Sequence, residues 1–371
     1  MDSNLTFGEN LRELRRKAGL TRAQLAEQIT YSEKAIEKWE MRNTIPPVAT
    51  VCKLAKLFCV TVDSLLYSPK KEVNFFLGID GGGTKTDFLL TDRFGNQVNR
   101  VILGPSNAVD IGMENAKAVL EQGIRQVCKG IDLQEVSLFA GLAGGITGKN
   151  MAILADFFGS FGFGVTANGS DMDNALQMAL DGQDGIAIIM GTGIIAFAQH
   201  KGILHRVGGW GYLLDKGGSG YNLGADVLDS ALKCSDGRDG SPLLLQLVEE
   251  KLKKPVQSAI AEIYRSGKTG ISSFAPLAFQ AYEAGDPHAI AILRRNVASV
   301  AEIIAAGCKH FTDAPVNAVI CGGLANRADI LAPIFEELTD NTVNVRFTTE
   351  PMVNGSVALA KNNCKKEGSS C

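Results

Sequence analysis

Three times in this chain an apolar run of strand length meets a tight glycine turn. The segments are FFLGIDGGGTKTDFLLTD at 75–92, GIAIIMGTGIIAFAQ at 185–199 and NAVICGGLANR at 317–327. Short apolar runs bounded by glycine read as strands, and a run on each side of the turn reads as an antiparallel pair. In the first segment Gly81, Gly82 and Gly83 carry no Cβ, so their amides can approach a ligand closely. Successive N–H groups in such a turn form a concavity that suits phosphate oxygens. Asp80 stands at the strand end, where a carboxylate can hold Mg²⁺ through water, and Thr84, Lys85 and Thr86 add donors to the same rim. Alone, this segment is equally an ordinary hairpin. Its recurrence around Gly191-Thr192-Gly193 and Gly322-Gly323 favours two pseudo-equivalent lobes whose turns grip one nucleotide across a cleft.

Around these turns strands and helices alternate. VSLFAGLAG (136–144) reads as a buried strand, Phe163–Ala167 as another, and Asp171–Leu180 as the helix that follows it. A chain of 371 residues has room for two or three domains. Its 45% hydrophobic and 21% charged residues are those of a globular protein. A net charge of −3 supplies no general attraction to nucleic acid or anionic membrane. MDSNLTFGENLRELRRK has no apolar core and does not read as a signal peptide. The uncharged run 185–200 is too short and too broken by glycine to span a bilayer. Eight cysteines show no CxxC pair and no metal-ligand spacing, and four scattered histidines show none either. The cytoplasm is the expected compartment.

Residues 1–68 are different. Leu11, Leu14 and Ala18 share one helical face, and Gly19-Leu20 ends that helix. Thr21 then caps TRAQLAEQI, with Gln24 three residues on as the capping-box partner. Ser32 caps SEKAIEKWE, Pro46-Pro47 ends a loop, and Val48–Phe58 and Thr61–Leu66 supply two more helices. The second and third helices have helix-turn-helix spacing. The alternative is a helical protein-interaction bundle, and charge favours DNA only mildly: ten Lys/Arg stand against eight Asp/Glu, or +2.

The run from LRELRRKAGLTRAQLAEQ to TVDSLL resembles the lambda-repressor-type (XRE) DNA-binding domain, sharing Gln24, Trp39-Glu40, Pro46-Pro47 and the terminal Leu65-Leu66. The resemblance implies that Ser32, Glu33, Lys34, Glu37 and Lys38 face the major groove of double-stranded DNA, while Arg22 and Gln24 face backbone and flanking bases. Trp39 is expected in the core.

The glycine turns together resemble the actin-like ATPase superfamily, with Asp80–Thr86 and Gly191–Gly193 as phosphate loops and Gly322-Gly323 in the adenosine loop. GIDGGGTKT, Ser106-Asn107, GLAGG, SDMDNAL, MGTG and VGGWGYLLDKGGSGYNLG narrow this to the BadF/BadG/BcrA/BcrD group, in its N-acetylglucosamine kinase branch, over residues 74–362. The implied fold is an all-α helix-turn-helix module followed by a two-lobed α/β, ribonuclease H-like body. The expected boundaries are 1–68 for the module, 69–73 for a linker, 74–184 and 185–362 for the lobes, and 363–371 for a tail. The implied activity is ATP- and Mg²⁺-dependent phosphorylation of an amino sugar by a cytoplasmic homodimer. Asp171 matches the family's proton acceptor best, with Asp173 nearly as well aligned; either can instead be an ordinary first-turn acid. Ser106, Asn107, Gly144, Gly145, Trp210 and Asp215 would contour the sugar, although Trp210 can equally be core.

Two departures stand out. Where the family has GDEGS, with an acid on the sugar, this chain has LDKGGS: Asp215 is one place early and Lys216 takes the acid's position. Beside Ser106-Asn107, Ala108-Val109 replaces the aromatic of animal enzymes. A second reading is therefore a sugar-sensing transcription factor whose body only binds. An acyl-CoA dehydratase activator is set aside because Met190, not a cysteine-bearing loop, precedes Gly191. The ROK family's cysteine-rich zinc motif is also missing.

Overall fold

The computed structural model describes residues 6–42, 44–67 and 71–366, so the expected linker and tail fall partly outside the described residues. The chain forms two units, 1–72 and 73–371.

Among its described residues the first unit has five helices: α1 (Phe7–Lys17), α2 (Arg22–Ile29), α3 (Glu33–Arg42), α4 (Val48–Leu57) and α5 (Val62–Leu66). Thr21 Oγ1 accepts from the Gln24 amide at 3.2 Å, and Gln24 Oε1 accepts from the Thr21 amide at 2.8 Å, so the expected capping box starts α2. Thr30, in the left-handed conformation at φ 67°, turns the chain toward α3. Phe7, Leu11, Leu25, Ile36, Leu54 and Leu65 are fully buried together, and Trp39 packs with them as a core residue. The same unit holds a buried ionic cluster. Glu40 is buried and accepts from Arg15 Nε at 2.6 Å and Arg22 Nε at 2.8 Å.

The second unit contains two five-stranded sheets of matching design. The strands are β1 (Phe75–Gly81), β2 (Thr86–Asp92), β3 (Gln97–Leu103), β4 (Val136–Leu142), β5 (Val165–Ser170), β6 (Gly185–Met190), β7 (Ile194–His200), β8 (Ile203–Val207), β9 (Val316–Cys321) and β10 (Val343–Phe347). The sheet orders are β3-β2-β1-β4-β5 and β10-β9-β6-β7-β8, so each has one antiparallel meander and two parallel additions. In sequence the helices are α6 (Ala108–Ile111), α7 (Met113–Val127), α8 (Asn150–Gly159), α9 (Asp171–Leu180), α10 (Gly220–Ser235), α11 (Pro242–Leu252), α12 (Ile260–Ser272), α13 (Ala275–Glu283), α14 (Pro287–Cys308), α15 (Ala328–Leu338) and α16 (Val353–Lys366). Their starts are written in the sequence. Asp286 accepts from the Ala289 amide at 2.8 Å, and Pro287 occupies the first turn of α14, where a missing N–H costs nothing.

One expectation about the lobes needs correction. The sequence reading puts residues 353–362 in the second lobe, yet α16 packs on the first sheet. Ser356 Oγ donates to the Ile79 carbonyl at 3.1 Å and Ser137 Oγ to the Ala360 carbonyl at 2.7 Å, both in the core. Close approach is the reason: a Cβ on Gly78 would lie 2.6 Å from the Val357 amide, and one on Gly355 would lie 1.9 Å from the Asn174 carbonyl oxygen. Two bare backbones let α16 settle between β1 and α9.

Candidate active site

β1 delivers Asp80 to the end of the first sheet, and the turn that follows is closed by the Gly82 amide donating to the Lys85 carbonyl at 2.9 Å. Gly83, Thr84 and Lys85 are exposed on this turn. Gly81 cannot carry a side chain, since a Cβ there would sit 2.3 Å from Ser106 Oγ and 2.4 Å from Leu142 Cδ2. Ser106 departs from expectation. It is 1% exposed and its hydroxyl accepts from Thr86 Oγ1 at 2.8 Å, so it braces the turn from below instead of facing a ligand.

The parallel neighbour β4 ends beside it. Gly144 and Gly145 follow, and a Cβ on Gly144 would strike Asn107 Oδ1 at 2.5 Å, while one on Gly145 would strike the Gly169 carbonyl oxygen at 2.8 Å. Asn107, Gly144, Gly145 and the β5–α9 junction thus share one patch. At that junction the two candidate acids part company. Asp173 Oδ2 accepts from the Ser170 amide at 2.8 Å, completing a capping box with the Ser170 hydroxyl. Asp171 Oδ1 accepts from the Met172 amide at 3.1 Å and the Ser170 hydroxyl at 3.3 Å. Burial holds the Asp171 carboxyl above its ordinary value, against these two donors, with the nearby Asp173 charge adding to the rise. A carboxylate so placed can take a proton from an alcohol.

Asn174, which the sequence did not single out, links the two acids' elements. It is fully buried and donates Nδ2 to Asp80 Oδ1 at 2.7 Å and to the Gly141 carbonyl at 3.1 Å. The available signal was a lone amide on the buried face of an otherwise apolar stretch of α9. Burial pushes the Asp80 carboxyl up to about 6, with the Asp171 and Asp87 charges adding and Asn174 and Lys85 opposing. A cation beside a buried carboxylate favours its charged form. No group of three or more His, Cys, Asp or Glu side chains converges among the described residues. That donor set fits Mg²⁺, which is commonly held by one carboxylate, water and phosphate oxygens.

The second glycine turn ends β6. The Gly191 amide donates to the Gly193 carbonyl at 2.9 Å, while the Gly191 and Thr192 carbonyls accept from the Gly220 and Tyr221 amides at 2.8 and 3.1 Å. The first turn of α10 therefore butts against it. Gly322, at φ 95°, follows the neighbouring β9, and a Cβ there would lie 2.7 Å from the Met190 carbonyl oxygen. The structure thus brings the Gly191–Gly193 and Gly322-Gly323 turns side by side.

The segment 207–219 runs across the same lobe. Trp210 is not core: it is 63% exposed, with the Arg206 guanidinium 4.4 Å from its ring centre. Asp215 Oδ2 accepts from the Gly209 amide and from the Trp210 amide at 3.1 Å, so this oxygen ties its own loop. Lys216 is exposed and lines a cavity of about 480 Å³ with Tyr212, Tyr221 and Arg295.

In the helical unit, Ser32, Glu33, Lys34, Glu37 and Lys38 are all exposed, on the side of α3 opposite Ile36 and Trp39. Gln24 is exposed, its carbonyl committed to the cap. Arg22 is held differently from expectation, with its Nε on Glu40.

The BadF/BadG/BcrA/BcrD ATPase family model matches residues 77–359, and a helix-turn-helix domain model matches residues 6–66. An N-acetylmuramic acid/N-acetylglucosamine kinase from Clostridium acetobutylicum is 30% identical over 310 residues, covering 79% of this chain and 100% of that protein. The HTH-type transcriptional activator BcrR of Enterococcus faecalis is 42% identical over 62 residues, 17% of this chain and 30% of that protein. Among solved structures, a Chromobacterium violaceum protein described as a candidate N-acetylglucosamine kinase superposes with a TM-score of 0.61 at 24% identity, covering 78% and 99% of the two chains. No described helix is long and apolar enough to cross a membrane.

Proposed function

The chain belongs to the BadF/BadG/BcrA/BcrD ATPase family, and on that premise we propose that it is an ATP-dependent amino-sugar kinase joined to a DNA-binding module. The observation that carries the reading is the junction of Asp80, Asn174 and Asp171: two carboxylates of one lobe, both held above their ordinary pKa, at the mouth of a glycine turn. The relative from Clostridium acetobutylicum supports a sugar of the N-acetylglucosamine or N-acetylmuramic acid type.

In this reading the Gly81-Gly82-Gly83 turn, closed by the Gly82 amide on the Lys85 carbonyl, allows close approach, and the Gly83 amide, the Thr84 hydroxyl and the Lys85 ammonium receive the β- and γ-phosphates from one side. Gly191, Thr192 and Gly193 receive them from the other, and Gly322 and Gly323 border the adenosine. Asn107, Gly144, Gly145 and Trp210 line the sugar. Asp171 accepts the proton of the sugar hydroxyl as its oxygen bonds to the γ-phosphorus and ADP leaves. Asp80 is the residue that would hold Mg²⁺, and the ion would supply charge neutralisation for the phosphoryl group. Phosphoryl transfer needs positioning and electrostatics more than covalent help, and this constellation is of that kind.

A second reading, a sugar sensor without turnover, is favoured by the 207–219 loop, where Asp215 is engaged with backbone amides and Lys216 stands exposed. Incubating the purified chain with MgATP and, in turn, glucosamine, N-acetylglucosamine, N-acetylmuramic acid and glucose, with ADP release coupled to a dye, separates the two. ADP release with one of these sugars supports the kinase; silence with all four leaves the sensor. We further propose that the protein works in the cytoplasm as a homodimer and that sugar lowers its affinity for its operator by about 5–150-fold. Titrating sugar against operator affinity tests this, and an unchanged affinity at saturation would make the two units independent.

A further inference from the structure

Lys268 belongs to no motif and has no part in the chemistry above. A Cβ on Gly193 would lie 3.0 Å from its Nζ, so the ammonium hangs over the Gly191–Gly193 turn. Its place there is built. Gly267, at φ 60° and ψ −158°, breaks the helical path of α12 one residue earlier and re-aims the turn that carries Lys268. Beyond it, α12 is pressed against α10, since a Cβ on Gly224 would lie 2.0 Å from the Ile271 carbonyl oxygen. The same α10 donates its Gly220 and Tyr221 amides to the glycine turn. The Tyr212 ring, its centre 5.8 Å from Nζ, flanks the ammonium from the other side.

No carboxylate neutralises this cation among the described residues, and Glu262 of the same helix is paired with Lys254 instead. An ammonium fixed beside a glycine turn and the N-terminus of a sixteen-residue helix concentrates positive potential in one place. An anion is the complement of that arrangement. We propose that Lys268 is a phosphate-binding residue of the nucleotide site, supplying on the second lobe the charge that Lys85 supplies on the first. The inference rests on the nucleotide reading of the Gly191–Gly193 turn and goes beyond it in assigning a side chain to it.

The test is direct binding, without turnover, to the full-length chain. ATP, ADP and adenosine are titrated against wild type, Lys268→Met and Lys268→Arg, with thermal melts to confirm folding. Removing a charge-assisted contact should weaken ATP and ADP by about 10- to 100-fold. Adenosine affinity should not change, and the Arg variant should recover most of the loss. Equal affinities in wild type and Lys268→Met, or an equal loss for adenosine, would overturn the inference alone. Failure of the wild type to bind either nucleotide would remove it together with the kinase reading.

Discussion

Asn174 donates its side-chain amide to Asp80 at 2.7 Å, tying the first turns of α9 to the end of β1. The two acids expected to divide the chemistry, Asp80 and Asp171, are thereby held on one rigid corner. An error of an ångström in their relation would matter, because positioning supplies much of the rate in phosphoryl transfer.

Asp171 and Asp173 should separate cleanly by substitution. Asp171→Asn keeps size and removes the proton acceptor, and should lower kcat by about 10²–10⁴-fold with ATP affinity unchanged. Asp173→Ala breaks the capping box, and should cost about 1 kcal/mol of stability with a modest effect on kcat. Steady-state kinetics and melts of both variants decide the matter; a reversal would give the proton-accepting role to Asp173.

Asp80 links catalysis to pH-dependent stability. Folding raises its pKa from the ordinary 3.8 to about 6, so the folded chain retains a proton that the unfolded chain has released. Its stabilising contribution is then full below about pH 4 and is lost as pH rises through 6, at a cost of about 1–3 kcal/mol. Asp80→Asn should abolish most turnover yet melt higher than wild type at pH 7.5 and equally at pH 4. A melting difference independent of pH would show that the carboxyl is not raised.

Glu40 should show the opposite sign. Burial raises its pKa, but hydrogen bonds and charge from Arg15 and Arg22 outweigh that and hold it below the ordinary value. Its contribution is present above the unfolded pKa and disappears as pH falls through the folded one. Arg15→Ala leaves a buried carboxylate half-compensated and should destabilise the helical unit by about 3–5 kcal/mol. Calorimetry of the full chain should show the transition of residues 6–66 moving down while that of the body stays.

The exposed face of α3 makes a separate prediction for DNA. Lys34→Ala and Lys38→Ala should each weaken operator binding and reduce the slope of log K against log salt by about 0.9 for each lost phosphate contact. Retention of genomic fragments across a salt series reads this out. Unchanged binding and slope in both variants would move the interface away from α3.

Local rules made much of this molecule legible. Asp171–Leu180 stands as a helix where the alternation of strands and helices placed it, and Thr21 with Gln24 starts α2 as the capping pattern requires. What escaped the sequence depends on contacts between distant segments. Ser106 and Asp215 read from the sequence as sugar contacts, but the Thr86 hydroxyl donates to Ser106 and the Gly209 and Trp210 amides donate to Asp215 Oδ2. Asn174 and Lys268 belong to helices that earn their place in the site only once β1 and the Gly191–Gly193 turn have been brought beside them.

The return of α16 to the first sheet has a consequence for biosynthesis. Residues 6–66 contain every helix of their own core, so that unit can fold as soon as it clears the ribosome. The first lobe cannot. Phe76, Phe139 and Val165 are buried in one cluster with Ala360 and Cys364, and this face stays uncovered through synthesis of the whole second lobe. A nascent chain paused before residue 353 therefore presents a finished helix-turn-helix head on an unfinished body, with the sticky face of β1 and β4 as its most natural ligand for a chaperone.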